Sequence, residues 1–166
     1  MVRIGGASKH ELLARLRAAQ VQLNSLALLL FERTEFTTAE KVSIVETIEI
    51  SVAELGLQAG GTFEQVLESA KLQRLALCPL ELAPHLRLQL TEQPEGSVGY
   101  PPSQKRAPPG SLTVASSAPA EDDDIPKGFY LRRIEGVLWL RGYVSWAGHV
   151  WNPEDSFILL RSNVAA

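Results

Sequence analysis

Hydrophobic and polar positions alternate between Ile125 and Leu160 in the manner of paired β-strands. Two β-rich runs, Phe129–Ile134 and Val137–Val144, are separated only by Glu135-Gly136. A two-residue connection with glycine second is typical of a tight hairpin, because glycine accepts a positive φ without a Cβ clash. The pattern therefore predicts an antiparallel hairpin as the centre of the fold.

The second run of this hairpin has two different faces. One face carries Val137, Trp139, Arg141 and Tyr143, and the other carries Leu138, Leu140, Gly142 and Val144. We expect the aliphatic face to pack on the core and the amphipathic face to be half exposed. A further strand is predicted over Phe157–Leu160, after the turn-like Asn152–Asp155.

The N-terminal half reads as helical. Ser8 and Glu11 form a capping box and predict a helix that runs to about Ala19. A second helix is predicted over Ser25–Phe31, with Leu26, Leu29 and Leu30 on its buried side. Residues 1–7 are predicted to be a flexible N-terminus.

Thr62 and Gln65 form a second capping box, which predicts a helix that ends near Gln73. The preceding pair Gly60-Gly61 is a flexible break and lacks the spacing of a phosphate-binding motif. Alternation over Val42–Val52 favours a strand, with a helix as the competing interpretation because Val45 breaks the pattern.

Two more strands and one long loop complete the prediction. Ser111–Ala115 indicates a short strand, and His85–Leu90 indicates a half-buried strand whose polar face carries His85, Arg87 and Gln89. The segment between Glu92 and Gly110 is rich in proline and glycine, so we expect a loop there. Together these elements predict a single α+β domain over residues 8–162, with a mostly antiparallel sheet and one core.

Composition narrows the function classes. The net charge is −3, which gives no overall attraction to nucleic acid or to an anionic membrane. No run approaches the roughly 20 apolar residues of a membrane span. The first residues lack the apolar region of a secretory signal, and the single cysteine excludes an internal disulfide. We expect a cytoplasmic protein without a membrane or nucleic-acid partner.

Three stretches together resemble a known group of proteins. These are SVAELGL (Ser51–Leu57), LCPLELAPHLRLQL (Leu77–Leu90) and PKGFYLRRIEGVLWLRGY (Pro126–Tyr143). They are similar to small, single-domain bacterial proteins of uncharacterised function, some of which are labelled as helicases automatically. This chain has no GxxxxGK[ST] loop to bind phosphates, so the resemblance implies a fold and no activity.

Aromatic and arginine side chains concentrate in the C-terminal stretch, which holds all three tryptophans. Trp139, Tyr143, Trp146, His149 and Trp151 are candidates for a platform that stacks on a sugar, a base or a peptide, with Arg132, Arg133 and Arg141 as donors. The competing interpretation is that these aromatics belong to the core.

Other polar groups offer weaker candidates. His85 with Glu81 and Arg87 suggests a general base beside an anion clamp, or simply a solvated strand face. The acidic run Glu121–Asp124 lacks the spacing of a calcium loop. Cys78, next to a proline in an apolar run, reads as a buried hydrophobe.

The leading hypothesis is a non-enzymatic binding protein for a protein or small-molecule ligand. Its site residues would be Trp139, Arg141, Tyr143, Trp146, Trp151 and Arg132, without a metal or cofactor. The alternative is a small hydrolase or transferase that uses His85 and Glu81 with Arg87. A pocket around His85 would favour the enzyme, and an exposed aromatic surface would favour the binder.

Overall fold

The computed structural model of the chain describes residues 1–96 and 107–162. The helices are α1 (Lys9–Ala18), α2 (Ser25–Glu32), α3 (Phe63–Leu72) and α4 (Leu82–Gln89). The strands are β1 (Val2–Ile4), β2 (Gln22–Leu23), β3 (Ser43–Val45), β4 (Thr47–Ser51), β5 (Gly61–Thr62), β6 (Leu75–Ala76), β7 (Leu112–Val114), β8 (Gly128–Ile134), β9 (Val137–Tyr143), β10 (Val150–Trp151) and β11 (Ser156–Arg161). The α+β class predicted from the sequence is confirmed.

The main sheet has the strand order β2-β9-β8-β7-β11-β4, and β6 also pairs with β11. Two of its ladders, β2 with β9 and β7 with β11, are parallel. The remaining ladders are antiparallel. The sheet is therefore mixed, whereas the sequence predicts a mostly antiparallel one. Alternation indicates which side chains face the core, but it carries no information on the direction of a partner strand that arrives through a long connection.

The buried hydrophobic side chains form two clusters on opposite faces of this sheet, where the sequence predicts one core. On β11, Ile158 belongs to the first cluster, while Phe157 and Leu159 belong to the second. Helices α1, α2 and α4 contribute to the first cluster, and α3 contributes Val66 and Ala70 to the second. The first face of the sheet is thus covered by three helices.

The second face is covered unevenly. Helix α3 packs at the end of the sheet formed by β4, β6 and β11. Beyond that end, the same face carries four half-buried side chains of the hairpin: Tyr130, Arg132, Trp139 and Arg141. This partial cover leaves space beside the hairpin for a cavity.

The hairpin has the predicted register. Ile134 pairs with Val137, and Glu135 and Gly136 both have positive φ, at 51° and 76°. Positive φ at both central residues is the geometry of the two-residue turn that matches the twist of the strands. Leu140 and Gly142 are buried as expected, whereas Val144 lies past the strand end and is exposed.

Both capping boxes form. Ser8 and Glu11 begin α1, and Thr62 and Gln65 begin α3. The buried face of α2 differs from the prediction, because Ala27, Leu30 and Phe31 are buried while Leu29 is 46% exposed. Six apolar residues in a helix of eight leave the buried side undetermined by pattern alone.

Two strand predictions need correction in the N-terminal half. The run Val42–Val52 is extended, as predicted, but it divides at Glu46 into β3 and β4, which belong to different sheets. Strand β3 pairs with β1, whose Val2 and Ile4 are buried. Residues 2–4 are therefore a strand and not part of a flexible terminus.

The largest error concerns His85–Leu90, which is not a strand but most of helix α4. Pro84 lies in the first turn, where its missing N–H costs little. Leu82 through Arg87 are all buried, so the first six residues of this helix have no solvent face for a hydrophobic period to reveal.

The proline-rich segment 92–110 is described at its two ends, and residues 97–106 lie outside the described residues. The first end packs on the hairpin, because Gln93 is buried and the Gly96 N–H donates to the Arg133 carbonyl at 2.7 Å. Within residues 1–96 and 107–162, none of the helices has the length and apolar character needed to cross a membrane.

Candidate functional site

A cavity of about 710 Å³ lies against the uncovered part of the second sheet face. Its volume is in the range of sites that hold small organic ligands. The hairpin, strand β7, the loop through Pro108 and the segment 144–151 surround it. Asn24 and Leu26 at the start of α2 and Asp123 of the acidic loop also line it, so the structure brings residues from six parts of the chain to one concave surface.

The floor of the cavity is a row of side chains across three adjacent strands. Thr113 of β7 pairs with Tyr130 of β8, and Tyr130 pairs with Arg141 of β9. All three line the cavity. Their neighbours on β7, Leu112 and Val114, face the opposite cluster, as strand alternation requires. The sheet register therefore fixes Thr113, Tyr130 and Arg141 side by side; together with Ser111 we call them the cavity floor.

Arg141 is held in one orientation by two contacts. Its Nε donates to the Tyr130 hydroxyl at 2.9 Å, and its guanidinium lies 4.9 Å from the centre of the Trp139 ring. Among the described residues, no acceptor meets its two terminal nitrogens and no Asp or Glu pairs with it. The sequence has no Asp or Glu at 97–106 or 163–166 either. The fork of Arg141 is thus positioned, charged and without a side-chain carboxylate.

The hydroxyl groups of two buried residues complete the floor. Ser111 and Thr113 are 6% and 3% exposed, and both line the cavity. Neither side-chain hydroxyl forms a hydrogen bond to a described residue. Both residues line the cavity, so their hydroxyls can pair with a water molecule or with a group of a bound ligand.

The wall of the cavity is aromatic and centred on Trp151. The rings of Tyr143 and His149 stand at 88° and 87° to it, with centroid distances of 5.8 and 5.0 Å. Phe157 packs against Trp151 from the second cluster at 4.8 Å. Edge-to-face packing of this kind fixes these rings. Trp151 is itself buried, whereas Trp146 in the same lining has exposed ring surface.

Glycines position the two tryptophans of this wall. A Cβ at Gly60 would lie 2.3 Å from the Trp151 carbonyl oxygen, so only glycine permits the approach of this segment to β10. Gly60-Gly61 therefore serves to place Trp151. A Cβ at Gly148 would lie 2.0 Å from the Trp146 ring, which folds over that residue and is 62% exposed.

Asn24 fastens helix α2 to the hairpin at the edge of the cavity. Its Oδ1 accepts from the N–H groups of Ala27 and Gly142, and its Nδ2 donates to the Gly142 carbonyl at 2.9 Å. The amide is therefore occupied by the fold, although Asn24 lines the cavity.

The charges at the cavity are few. Burial lowers the pKa of His149 and raises the pKa of the Tyr143 phenol, so both are neutral at pH 7. Asp123, on the acidic loop, lines the cavity and is exposed to solvent. Arg141 and Asp123 are then the two charged residues of the lining.

The structure groups most of the aromatic residues singled out in the sequence. Arg141, Tyr143, Trp146, His149 and Trp151 line the cavity. Trp139 lies behind Arg141, and Arg132 pairs with Trp139 outside the lining.

Sequence reasoning missed Ser111, Thr113 and Tyr130. The Glu135-Gly136 turn already fixes Tyr130 opposite Arg141, so Tyr130 could have been predicted from the sequence. Ser111 and Thr113 depend on the order of β7 in the sheet, which no local pattern encodes.

The alternative site at His85 is occupied by structural contacts. His85 Nε2 accepts from the Gly5 N–H at 3.1 Å, and the Glu81 carboxylate accepts from the Ala39 N–H at 3.2 Å. Because Nε2 carries the accepting lone pair, the imidazole is neutral and its 3.9 Å approach to Glu81 is not an ion pair. Burial, assisted by the charge of Arg15, lowers the pKa of His85, and burial raises that of Glu81.

Arg87 points elsewhere, because residues 85 and 87 are two positions apart on helix α4 and project about 200° apart around its axis. Its Nη1 donates to Gln93 at 2.6 Å, and its Nη2 donates to the Leu90 carbonyl. Gln93 in turn donates to the carbonyls of Gly110 and Leu131. The predicted cluster of His85, Glu81 and Arg87 on one polar face therefore does not form.

The remaining candidates show no site chemistry within the described residues. Cys78 is buried, and burial raises the pKa of its thiol to about 12, so the nucleophilic thiolate is not formed. No group of His, Cys, Asp or Glu at positions 1–96 or 107–162 has a metal-binding arrangement. A second cavity of about 620 Å³ beside α3 is lined mainly by aliphatic side chains, with Lys71 and Arg74 at its rim.

Comparisons of the chain with protein-family models, with curated proteins and with solved structures find no match.

Proposed function

We propose that the protein is a non-enzymatic binding protein that holds a small organic ligand in the cavity beside the β8–β9 hairpin. The ligand lies on the cavity floor and stacks against the aromatic wall of Tyr143, Trp146 and Trp151. The rigid sheet positions the polar groups, and a site on rigid strands preserves their geometry.

One observation carries this proposal. The cavity floor combines a fixed guanidinium with two hydroxyls that face the cavity and have no protein partner among the described residues. Polar groups that open on a cavity pair with water when no ligand is present. A ligand that presents matching polar groups replaces this water and keeps the hydrogen bonds of the floor.

The binding site is tested by a fragment library and two-dimensional amide NMR on the full chain. We expect fragments to shift the amides of residues 111–113, 128–131 and 141–151. A variant that fills the cavity, Thr113→Met, should abolish these shifts. Thr113→Val is the matched control, because it retains the volume and removes only the hydroxyl, and it should weaken binding without abolishing it.

The competing enzyme hypothesis predicts a different map. Fragments that shift residues 81–87, lose binding in His85→Ala and keep binding in Thr113→Met would overturn the proposal. Chemical turnover of a bound fragment would contradict the non-enzymatic part. The hydrogen bonds of His85 to Gly5 and of Glu81 to Ala39 support the binder, because both groups already have structural partners.

A further inference from the structure

Three features of the cavity bear on the chemical class of its ligand: donor groups on the floor, aromatic rings in the wall, and an acid at the margin. Together with the proposed binding function, on which this inference rests, they specify the chemical class of the ligand.

The floor offers donors in excess. Tyr130 accepts from Arg141 Nε, so its own O–H remains available to donate. Arg141 adds the N–H groups of its two terminal nitrogens, which have no acceptor in the described part of the chain. The indole N–H of Trp151, buried in the wall, likewise has no acceptor among the described residues. A ligand that satisfies this floor must bring acceptor oxygens.

The arginine specifies the geometry of those oxygens. Trp139 holds the guanidinium plane from one side and Tyr130 fixes Nε, so the two terminal nitrogens form a fork that needs little further ordering. A planar fork of this kind binds carboxylate or phosphate oxygens in a bidentate manner. His149 and Tyr143 are neutral, so the positive charge at the floor belongs to Arg141.

The wall specifies the rest of the molecule. The aromatic side chains of the wall favour a flat ring that stacks on them. Ala107 and Pro108 form an apolar border on another side of the same cavity. A ring therefore occupies the apolar part, and an acidic group reaches the floor.

We propose that the ligand is a planar ring compound with one oxyanion, a carboxylate or a phosphate, held by the fork of Arg141 over the Thr113–Tyr130–Arg141 row.

Paired probes test this class in NMR titrations of the full chain. Benzoate is compared with benzamide, and adenosine 5′-monophosphate with adenosine, so that each pair keeps its ring and differs in charge. We expect each preferred acid to bind at least about ten-fold more tightly than its neutral partner, as a charge-assisted bidentate contact predicts. A preference in one pair alone distinguishes the carboxylate from the phosphate.

Variants assign the preference to a residue. Arg141→Gln should reduce the acid-to-neutral ratio to near one, and Arg141→Lys, which keeps the charge without the fork, should retain part of it. Arg132→Gln is the matched control, because Arg132 lies on the same sheet face outside the cavity lining. Its ratio should equal that of the parent. Thermal unfolding of each variant verifies that the fold persists.

Asp123 provides an independent check of the ligand charge. Removing its carboxylate with Asp123→Asn should tighten the acids, because a like charge leaves the lining, and should leave the neutral probes unchanged. Weaker binding of the acids in Asp123→Asn would show that the carboxylate holds a donor group of the ligand, which overturns the single-oxyanion assignment.

The outcomes separate the two proposals. Equal binding of acid and neutral probes at the cavity amides overturns the oxyanion assignment and leaves the binding function standing. Failure of all four probes at millimolar concentration, together with a fragment library that shifts no cavity amide, overturns both.

Discussion

Two polar clusters of this protein each contain an arginine and differ in how much of their hydrogen-bonding capacity the chain itself uses. The first, which we call the α4 cluster, consists of Glu81, His85, Arg87 and Gln93. Each of its side chains bonds to the chain itself, mostly to backbone groups of distant segments. The second is the cavity floor, where Arg141 and the two hydroxyls keep unpaired groups facing a cavity.

The difference shows how a structural polar group is distinguished from a candidate binding group. Burial alone does not decide, since Arg87 and Thr113 are both almost fully buried. Position relative to the cavity decides. Most polar groups of the α4 cluster bond within the chain, and its unpaired buried donor, Arg87 Nε, lies outside the cavity lining. The unpaired groups of the floor face the cavity, where a ligand can reach them. The α4 cluster should therefore affect stability without binding, and the cavity floor should do the reverse.

The largest effect is expected for Arg87→Ala. Arg87 is 0% exposed, and its removal leaves a void together with unpaired oxygens on Gln93 and Leu90. We expect a loss of about 3 kcal/mol or more in the free energy of unfolding, measured by urea denaturation. Arg17→Ala, at an exposed arginine near the end of α1, is the control and should change it by less than about 0.5 kcal/mol.

Ligand binding provides the other half of this comparison. Folded Arg87→Ala should bind cavity fragments like the parent. A stability loss below about 1 kcal/mol would mean that Gln93 finds other partners, and the α4 cluster would then lose its structural role.

The second largest effect concerns the Glu135-Gly136 turn, which sets the pairing of Tyr130 with Arg141 across the hairpin. Gly136 has a φ of 76°, and a Cβ there meets no atom within 4 Å, so the cost of substitution is backbone strain and not a clash. Gly136→Val should lower the free energy of unfolding by roughly 1–2 kcal/mol, and Gly136→Asn by less, because asparagine tolerates this conformation better. Thermal melts that are equal for parent and Val variant would contradict the strained turn.

The sequence was informative wherever an element has one solvent face or a defined cap. The hairpin, β11, α1 and α3 satisfy this condition, and all four lie close to their predicted bounds. The prediction failed at α4, where residues 82–87 are all buried. The leucines at every second position there gave the alternation that is expected of a strand.

The candidate site was predictable only in its local part. One continuous stretch, which holds all three tryptophans, supplies Arg141, Tyr143, Trp146 and Trp151. Thr113 joins them because β7 lies between β8 and β11, with a parallel partner on one side and an antiparallel one on the other. Strand order depends on long-range packing, and no spacing along the chain encodes it.

A smaller effect is expected in the pH dependence of stability through His85. Its pKa is lowered in the folded state below the ordinary value of 6.5, so the unfolded chain binds the proton more readily. The contribution of neutral His85 is complete above about pH 6.5 and declines as the pH falls through that value towards the folded pKa. Glu81 acts in the opposite sense, because its raised pKa makes the folded state the stronger proton binder.

Urea midpoints of the parent and of His85→Gln between about pH 7.5 and about pH 5 isolate this contribution. Both proteins contain His10 and His149, so the difference between their curves reports His85. We expect the parent to lose more stability than the variant on acidification. Parallel curves would show that the Gly5 N–H does not depend on a neutral imidazole.

The smallest effect on stability, and the sharpest contrast with Arg87, is expected for Trp146→Ala. Trp146 is 62% exposed and packs on the glycine of its own turn, so its removal should change the free energy of unfolding by less than about 0.5 kcal/mol. The same change removes a stacking surface from the cavity wall, and fragment affinity should fall about ten-fold, as loss of an anchor aromatic does. Leu72→Ala is the matched control, because Leu72 is 87% exposed at the end of α3, away from the cavity lining.

If both variants bind like the parent, the wall ends at Trp151 and Trp146 does not belong to the site. If Trp146→Ala instead unfolds at markedly lower urea, this ring supports the fold, and the division between stabilising and binding clusters does not extend to the segment 144–149.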